Sequence, residues 1–359
     1  MLNSLFLYLT PIEMVFNSDL IQWYSFHKRP LPWRETKDPY RIWLSEIILQ
    51  QTQIKQGLPY YLKFTANYPT VFELAKASED EVLKHWQGLG YYSRARNLHK
   101  TAKYVAEELN GVFPKTYKEL LTLKGVGDYT ASAIASICYE EPVAVVDGNV
   151  YRVLSRYFGV DTPINSTEGV KQFKLLAMSL LPKNNIGDYN QALMEFGAKQ
   201  CKPKSPDCSN CPVDSECAAL ATASIQKLPI KLKKIKIRKR YLNFLVLLTE
   251  NHKTVLEKRI EKGIWQHLYQ FPMLESDTSI SKKELLANSD FKKIHAIKLK
   301  NVKLFNSKDI LHKLTHQELH VKFWIIKIKN DIDNGISWAE VQAHAVPAVI
   351  AQFIKAFNP

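Results

Sequence analysis

Four cysteines fall within seventeen residues: Cys201, Cys208, Cys211 and Cys217, spaced C-x6-C-x2-C-x5-C. Two disulfides in so tight a cluster would be unusual for an enzyme of a reducing compartment. Four thiolates at this spacing read as a metal site. Zinc and an iron–sulfur cluster both take such ligands. Zinc ribbons usually show two CxxC pairs and this stretch has one, which tilts the reading toward a 4Fe–4S cluster. Lys202 and Lys204, between the first two cysteines, are suited to a phosphate contact. The fifth cysteine, Cys138, lies alone on an apolar helix face and is expected in the core.

A second chemical stretch is TYKELLTLKGVGDYTASAIASICYEEPVAVVDGN, residues 116–149. Thr116 followed by Glu119 forms a capping-box signature for a helix carrying Leu120, Leu121 and Leu123. Gly125-Val126-Gly127 then breaks the pattern. A second helical pattern follows with Tyr129, Ala131, Ala133, Ile134 and Ile137. Two helices joined so tightly form a helix-hairpin-helix. Gly125 and Gly127 let backbone N–H groups reach an anion without side-chain clash, and duplex phosphate is the natural anion. The apolar run 143–146 then delivers Asp147 and Gly148-Asn149. Asp147 is either an active-site carboxylate or the N-cap of the next helix.

These stretches must be positioned by a largely helical frame. Helical patterns cover 17–29, 42–50, 71–76, 79–87, 93–109, 116–123, 129–139, 148–158, 168–181 and 188–199, with strand signals scarce. Ser78 and Glu81 form another capping box. After the cysteines the character changes. Residues 231–240, KLKKIKIRKR, carry seven basic residues and read as a solvated linker or edge strand more than as a phosphate-binding stripe. Strand-like runs then cover 241–248, 254–256 and 320–328, with helical patterns at 281–287 and 346–356. This third part is α+β with its own core.

The 359 residues allow two or three domains. Net charge is +14 and hydrophobic content 46%. Residues 226–359 hold 25 Lys/Arg against 12 Asp/Glu, net +13, leaving +1 for residues 1–225. A polyanion site in the first part must therefore be a local patch. No run of eighteen apolar residues indicates a membrane helix. The N-terminal MLNSLFLYLTPIEM lacks a basic leader and a small-residue cleavage site, which argues against a signal peptide. Met14 is an alternative start to Met1, and cytoplasm is the default location.

With hairpin and cysteine spacing in hand, the chain resembles the endonuclease III superfamily of DNA glycosylases, and within it the MutY-type adenine DNA glycosylases. The resemblance covers nearly the whole chain. It rests on LPWR (31–34), WLSEIILQQTQ (43–53), GLGYYSRARNLHK (88–100), LKGVGDYTASAI (123–134), VDGNVYRVLSR (146–156) and NQALMEFGAKQC (190–201). It implies a multidomain protein. An all-α helix-hairpin-helix catalytic region spans 15–225, made of a six-helix module of about 33–149 and an iron–sulfur module of 15–32 plus 150–225. A basic linker spans 226–240 and a Nudix-like α+β domain spans 241–359. Relatives with lyase activity place a Schiff-base lysine where this chain has Tyr129. Imine chemistry needs an amine, so a monofunctional glycosylase of base excision repair is implied. Its expected partner is double-stranded DNA with adenine opposite 8-oxoguanine or guanine, bound by a monomer.

Such a reaction resembles glycoside hydrolysis, with one acid for the leaving group and one carboxylate for the oxocarbenium-like sugar. Glu46 lies in a helix otherwise lined by Leu44, Ile47, Ile48 and Leu49. Apolar surroundings raise a carboxyl pKa and suit it to act as an acid. On the residues alone, an ordinary solvated Glu is the simpler account. The resemblance makes Glu46 the group that protonates adenine at N7, and Asp147 the group that stabilises the sugar cation. Asn149 and Tyr129 are then expected to position Asp147 and the sugar. Gln191 is expected to read the adenine edge, and Trp33 and Arg34 to wall the pocket. Gln51 and Tyr91 match residues that enter the base stack beside the mispair.

In the C-terminal third, LEKRIEKGIWQHLYQFP (256–272) resembles the first strand and loop of a Nudix domain. Residues 273–290 lack the acidic metal-binding cluster, so pyrophosphate hydrolysis is not expected. The lesion-reading signature, usually Phe-Ser-His, is replaced by Leu314-Thr315-His316. Thr315 keeps the hydroxyl, whereas Leu314 gives up the aromatic ring.

Overall fold

The computed structural model describes residues 11–232, 237–293, 299–329, 331–332 and 334–359. Residues 1–10, with the start at Met1, and 233–236 of the basic stretch lie outside the described residues. Chain contacts divide the protein into two compact units, Met1–Ala75 with Lys100–Lys233, and Lys76–His99 with Lys234–Pro359.

The first half of the chain runs through helices α1 (Pro11–His27), α2 (Pro39–Leu49), α3 (Ile54–Asn67), α4 (Val71–Lys76), α5 (Glu79–Trp86), α6 (Ser93–Glu107), α7 (Tyr117–Leu120), α8 (Asp128–Tyr139), α9 (Gly148–Phe158), α10 (Thr167–Ser179), α11 (Ile186–Lys199) and α12 (Ala218–Ala221). Each helical pattern read from the sequence falls on one of them. The capping boxes at Ser78/Glu81 and Thr116/Glu119 both form. The helix after Thr116 stops at Leu120, short of the expected residue 123. There Thr122 bonds back to the Glu119 carbonyl at 2.7 Å, and Gly125 takes φ +82° to turn the chain. The α3 helix is one that the sequence reading does not assign. It holds Gly57 and Pro59, residues that normally punctuate rather than continue a helix.

In the first unit, α1, α9, α10 and α11 enclose a core of Phe16, Leu20, Trp23, Leu154, Phe173 and Phe196. The α8 helix is small-sided, with Ala131, Ser132, Ala133, Ala135 and Ser136 all buried. This allows close approach. A Cβ at Gly187 of α11 would lie 2.8 Å from the Ile137 Cα and the Ser136 carbonyl. A Cβ at Gly197 would lie 2.7 Å from the Asn149 Cβ. Two glycines thus seat α11 directly on α8 and on the start of α9. Cys138 is half-buried rather than in the core.

The second unit is built on a five-stranded sheet. Strand β1 (Arg238–Leu248) pairs parallel with β8 (Gln317–Ile328) in the middle, with Phe244 opposite Phe323. Antiparallel to β1 runs β5 (Met273–Ser276), and antiparallel to β8 run β6 (Leu299–Leu304) and β7 (Ile310–Lys313). Short pairs β2 (Lys253–Thr254) with β9 (Ile336–Ser337), and β3 (Glu257–Lys258) with β4 (Tyr269–Gln270), flank it. Strand β1 begins at Arg238, so the last three residues of the basic stretch are strand rather than linker. Residues 242–248 are buried continuously, as a two-sided sheet requires. One face packs on α13 (Lys282–Ala287) and α14 (Ser289–Lys293) through Leu285, Phe291, Trp324 and Ile326. On the other face, after α15 (Trp338–Val341), helix α16 (Ala348–Ala356) stacks Phe353 on Phe323 at 4.1 Å. The only acid of α13, Glu284, caps its own helix through the Ser281 N–H at 2.7 Å.

Candidate active site

Asp38 caps α2 by accepting from the Tyr40 N–H at 3.0 Å, with Pro39 at the first helical position. The helix is then buried from Ile42 to Ile48, which carries Glu46 inside at 6% exposure. Burial raises the Glu46 carboxyl to about 7. The Tyr129 hydroxyl and Arg34 act in the lowering sense, and the Asp147 charge raises it further. Its Oε2 is buried with no hydrogen-bond partner. The solvated-Glu account is therefore set aside. Tyr129, on α8, is held by the same surroundings, and its hydroxyl donates to Met194 Sδ at 3.6 Å.

Of the two roles that the sequence allowed it, Asp147 holds the helix N-cap. It caps α9, with Oδ1 accepting from the Asn149 and Val150 N–H groups at 2.9 and 2.8 Å. Its Oδ2 accepts from Asn149 Nδ2 at 2.7 Å, and its charge is felt at Glu46. Burial raises its pKa, while these three donors and Arg152 hold it down. Asn149 is oriented in turn by Arg152, which donates to Asn149 Oδ1 at 2.8 Å, to the Gly197 carbonyl at 2.6 Å and to the Cys201 carbonyl at 2.7 Å.

Pro32–Arg34 forms a 3-10 turn that buries Trp33 against Tyr61, edge to face at 5.0 Å. Arg34 donates to Glu195 Oε2 at 2.8 Å, and Arg29 to both Glu195 oxygens at 2.7 and 2.5 Å. Burial alone would raise Glu195, but the two guanidiniums outweigh it and hold the carboxyl at about 2. Gln191 lies buried on α11 one turn before Glu195. Its neighbour Asn190 ties down the run before Asp147, accepting from the Val145 N–H at 3.1 Å and donating to the Val143 carbonyl at 2.9 Å. Sequence reading missed Arg29, Arg152, Asn190 and Glu195. Only the family-like runs containing Arg152, Asn190 and Glu195 offered a signal.

The four cysteines line one small cavity with Val153, Tyr157, Phe196 and Val213. Arg156 donates to Cys201 Sγ at 3.4 Å. Burial pushes the Cys211 thiol up to about 12. Among the described residues, no three His, Cys, Asp or Glu side chains are grouped so as to hold a metal ion as they stand.

Gly125 and Gly127 form the hairpin turn. Gly127 is the N-cap of α8 without a side-chain cap, and a Cβ there would meet nothing within 4 Å. Gln51 is exposed in the first unit with φ +56°. In the second unit, Tyr91 is 51% exposed with φ +45°, and its hydroxyl hydrogen-bonds Thr315 Oγ1. Thr315 and His316 are exposed at the β7–β8 hairpin tip, closed by the Leu314 N–H to Gln317 carbonyl bond at 2.8 Å. Together with residues 88–93, Trp265 and His312 they line a cleft of about 590 Å³.

Comparison with known proteins agrees with this frame. Residues 44–177 match the HhH-GPD superfamily of base excision DNA repair proteins, and residues 243–356 match the NUDIX domain. An adenine DNA glycosylase of Buchnera aphidicola subsp. Baizongia pistaciae is 35% identical over 357 residues, 96% of this chain and 98% of its own length. The chain belongs to the adenine DNA glycosylase family. A human adenine DNA glycosylase is 45% identical over 213 residues, 57% of this chain and 39% of that one. A solved thermostable thymine-DNA glycosylase superposes with TM-score 0.55 at 32% identity, covering 59% of this chain and 97% of its own. An endonuclease III–DNA complex superposes at 0.52 with 22% identity, covering 60% and 99%, a likeness of fold.

Proposed function

We propose that the chain removes adenine mispaired with 8-oxoguanine or guanine from double-stranded DNA. It is a base excision repair glycosylase acting on adenine, a hydrolase of N-glycosyl bonds. The observation that carries the site assignment is Glu46: a buried carboxyl raised to about 7, with Oε2 free to donate a proton. The target nucleotide leaves the base stack, at a cost of roughly a few kcal/mol. Glu46 gives its proton to the adenine ring as the C1′–N9 bond breaks and the electron pair moves onto the base. Asp147, its lone pairs fixed by Asn149 and the α9 N-terminus, stabilises the sugar cation. Water then adds to C1′ and its proton returns to Glu46. The two carboxyls sit in environments that separate their roles. Gln191, Trp33 and Arg34 bind the base, and Gly125 and Gly127 a backbone phosphate. Gln51, Tyr91, Thr315 and His316 engage the mispair. With no amine at Tyr129, no imine forms.

Cys201, Cys208, Cys211 and Cys217 would hold a 4Fe–4S cluster, supported by the one cavity that all four line. When bound, the cluster would supply iron atoms for the four thiolates to bond, and the loop would be tied together through them. The monomeric state and cytoplasmic location expected from the sequence go with this reading. No helix among the described residues is long and apolar enough to cross a membrane.

The test is release of free adenine from an A:8-oxoguanine duplex by purified protein in single turnover. Release that is lost in Glu46→Gln supports the reading, and intact duplex with the unmodified chain overturns it. Borohydride should trap no adduct. A trapped adduct would instead favour an oxidised-pyrimidine glycosylase with lyase activity.

A further inference from the structure

Helix α8 presents its first N–H groups beyond Gly127, yet its first residue is an acid. Asp128 is good for the helix and poor for a phosphate. A carboxylate in the first turn complements the helix dipole but repels an anion arriving at the same end. The side chain is 53% exposed, so its charge is not hidden by burial.

Two groups converge on it. Tyr117 donates its hydroxyl to Asp128 Oδ1 at 2.7 Å. Lys174, from α10, reaches Oδ1 at 3.1 Å and Oδ2 at 3.2 Å. The same ammonium donates to Ser132 Oγ at 3.0 Å and to the Ala144 carbonyl at 2.8 Å, and lies 5.5 Å from the Tyr117 ring centroid. An ammonium has three donors, and these acceptors occupy all of them. Lys174 therefore has no N–H left for a phosphate oxygen.

We infer that Lys174 is a positioning residue for duplex binding: it neutralises Asp128, so that the hairpin end of α8 meets the DNA backbone without a repelling charge. The inference rests on the reading of Gly125–Gly127 as a phosphate site. Lys174 acts through Asp128 and touches no DNA. It also ties α8 to the run that delivers Asp147, so a purely structural role must be separated from the electrostatic one.

The experiment measures affinity of the full chain for an undamaged labelled duplex by fluorescence anisotropy across a salt series, with melting temperatures recorded alongside. Lys174→Met should weaken binding about fivefold at 50 mM salt, and the deficit should shrink as salt rises. Asp128→Asn alone keeps the acceptor, removes the charge and should tighten binding. The double variant should return to within about twofold of the unmodified protein. Lys174→Met with unchanged affinity overturns the inference. So does a double variant as weak as Lys174→Met, because a direct phosphate contact or a structural tie is not rescued by removing Asp128. If Lys174→Met does not fold, Asp128→Asn decides: looser or equal binding overturns the inference. Failure of the underlying reading looks different. In that case Gly127→Val, whose side chain enters the space in front of the helix, leaves duplex affinity unchanged.

Discussion

Glu46 is 6% exposed, and Asp147 is pinned by three donors. Thr315 and His316 stand exposed at a hairpin tip, and the Tyr91 beside them is 51% exposed. Glu46 and Asp147 lie in a stretch of net charge +1, Thr315 and His316 in one of +13. On the proposed function, bond cleavage needs a proton held at an unusual pKa, and burial of Glu46 would supply it. Recognition of a base in a duplex needs donors that the duplex can reach, and a general positive field that brings it there. One region is therefore costly to alter and the other tolerant. A series of substitutions can test that contrast.

The largest effect is expected at Glu46. Glu46→Gln should lower the single-turnover rate by about 10³-fold or more, since a positioned acid contributes roughly 10²–10⁴. The pH profile sharpens this. With the carboxyl at about 7, the acid form is lost as pH rises through 7, so the rate should fall on that side. Stability moves with it. The folded protein holds a proton that the unfolded chain releases near 4.5, so stability is lost as pH climbs from about 4.5 through 7. The loss is on the order of 3 kcal/mol. Glu46→Gln should remove that slope and melt higher than the unmodified protein at pH 8 while being inactive. Equal melting curves at pH 8 would show that Glu46 is not an acid held against its solution pKa.

Asp147→Asn comes next. Asn caps a helix as well as Asp does, so melting should change little while the rate falls roughly 10²-fold. A large drop in melting temperature with the rate preserved would make Asp147 a cap and nothing more. Cys211→Ser should abolish visible absorbance in an aerobically purified, iron-replete preparation and destabilise the fold by about 2 kcal/mol, lowering Tm by about 4–8 °C. A colourless unmodified protein containing zinc would redirect the metal assignment. The smallest effect belongs to the hairpin tip. Thr315→Ala should leave adenine release from A:G nearly intact and reduce preference for A:8-oxoguanine by about three- to tenfold, the worth of one hydrogen bond. Equal losses on both duplexes would erase the contrast between the regions.

Much of the helical frame around the candidate site was legible because its signals are local. Capping boxes, the glycine turn and helical periodicity each lie within about ten residues, and Asp147 announced itself by ending an apolar run. The failures have equally specific causes. Residues 54–67 hide a helix because Gly57 tucks against Leu49 and Pro59 falls within the helix, both meanings decided by neighbours outside the window. Strand β6, LKNVKL, went unread because an edge strand carries lysines where a central strand carries apolar residues. Arg29 and Glu195 were invisible as a pair because 166 residues separate them. An ion pair between distant residues is a property of the fold, and neither residue type signals it alone.

Gly197 has an engineering consequence. Replacing a helix-interior glycine with alanine is a standard way to gain about 1 kcal/mol, and a stability-guided library would choose this position early. Here the added methyl would land 2.7 Å from the Asn149 Cβ and 2.8 Å from its carbonyl oxygen. One of the two helices must move, and Asn149 is hydrogen-bonded to Asp147. The expected product of that substitution is a protein that melts lower instead of higher and acts slowly, with the damage done by a residue outside the candidate site.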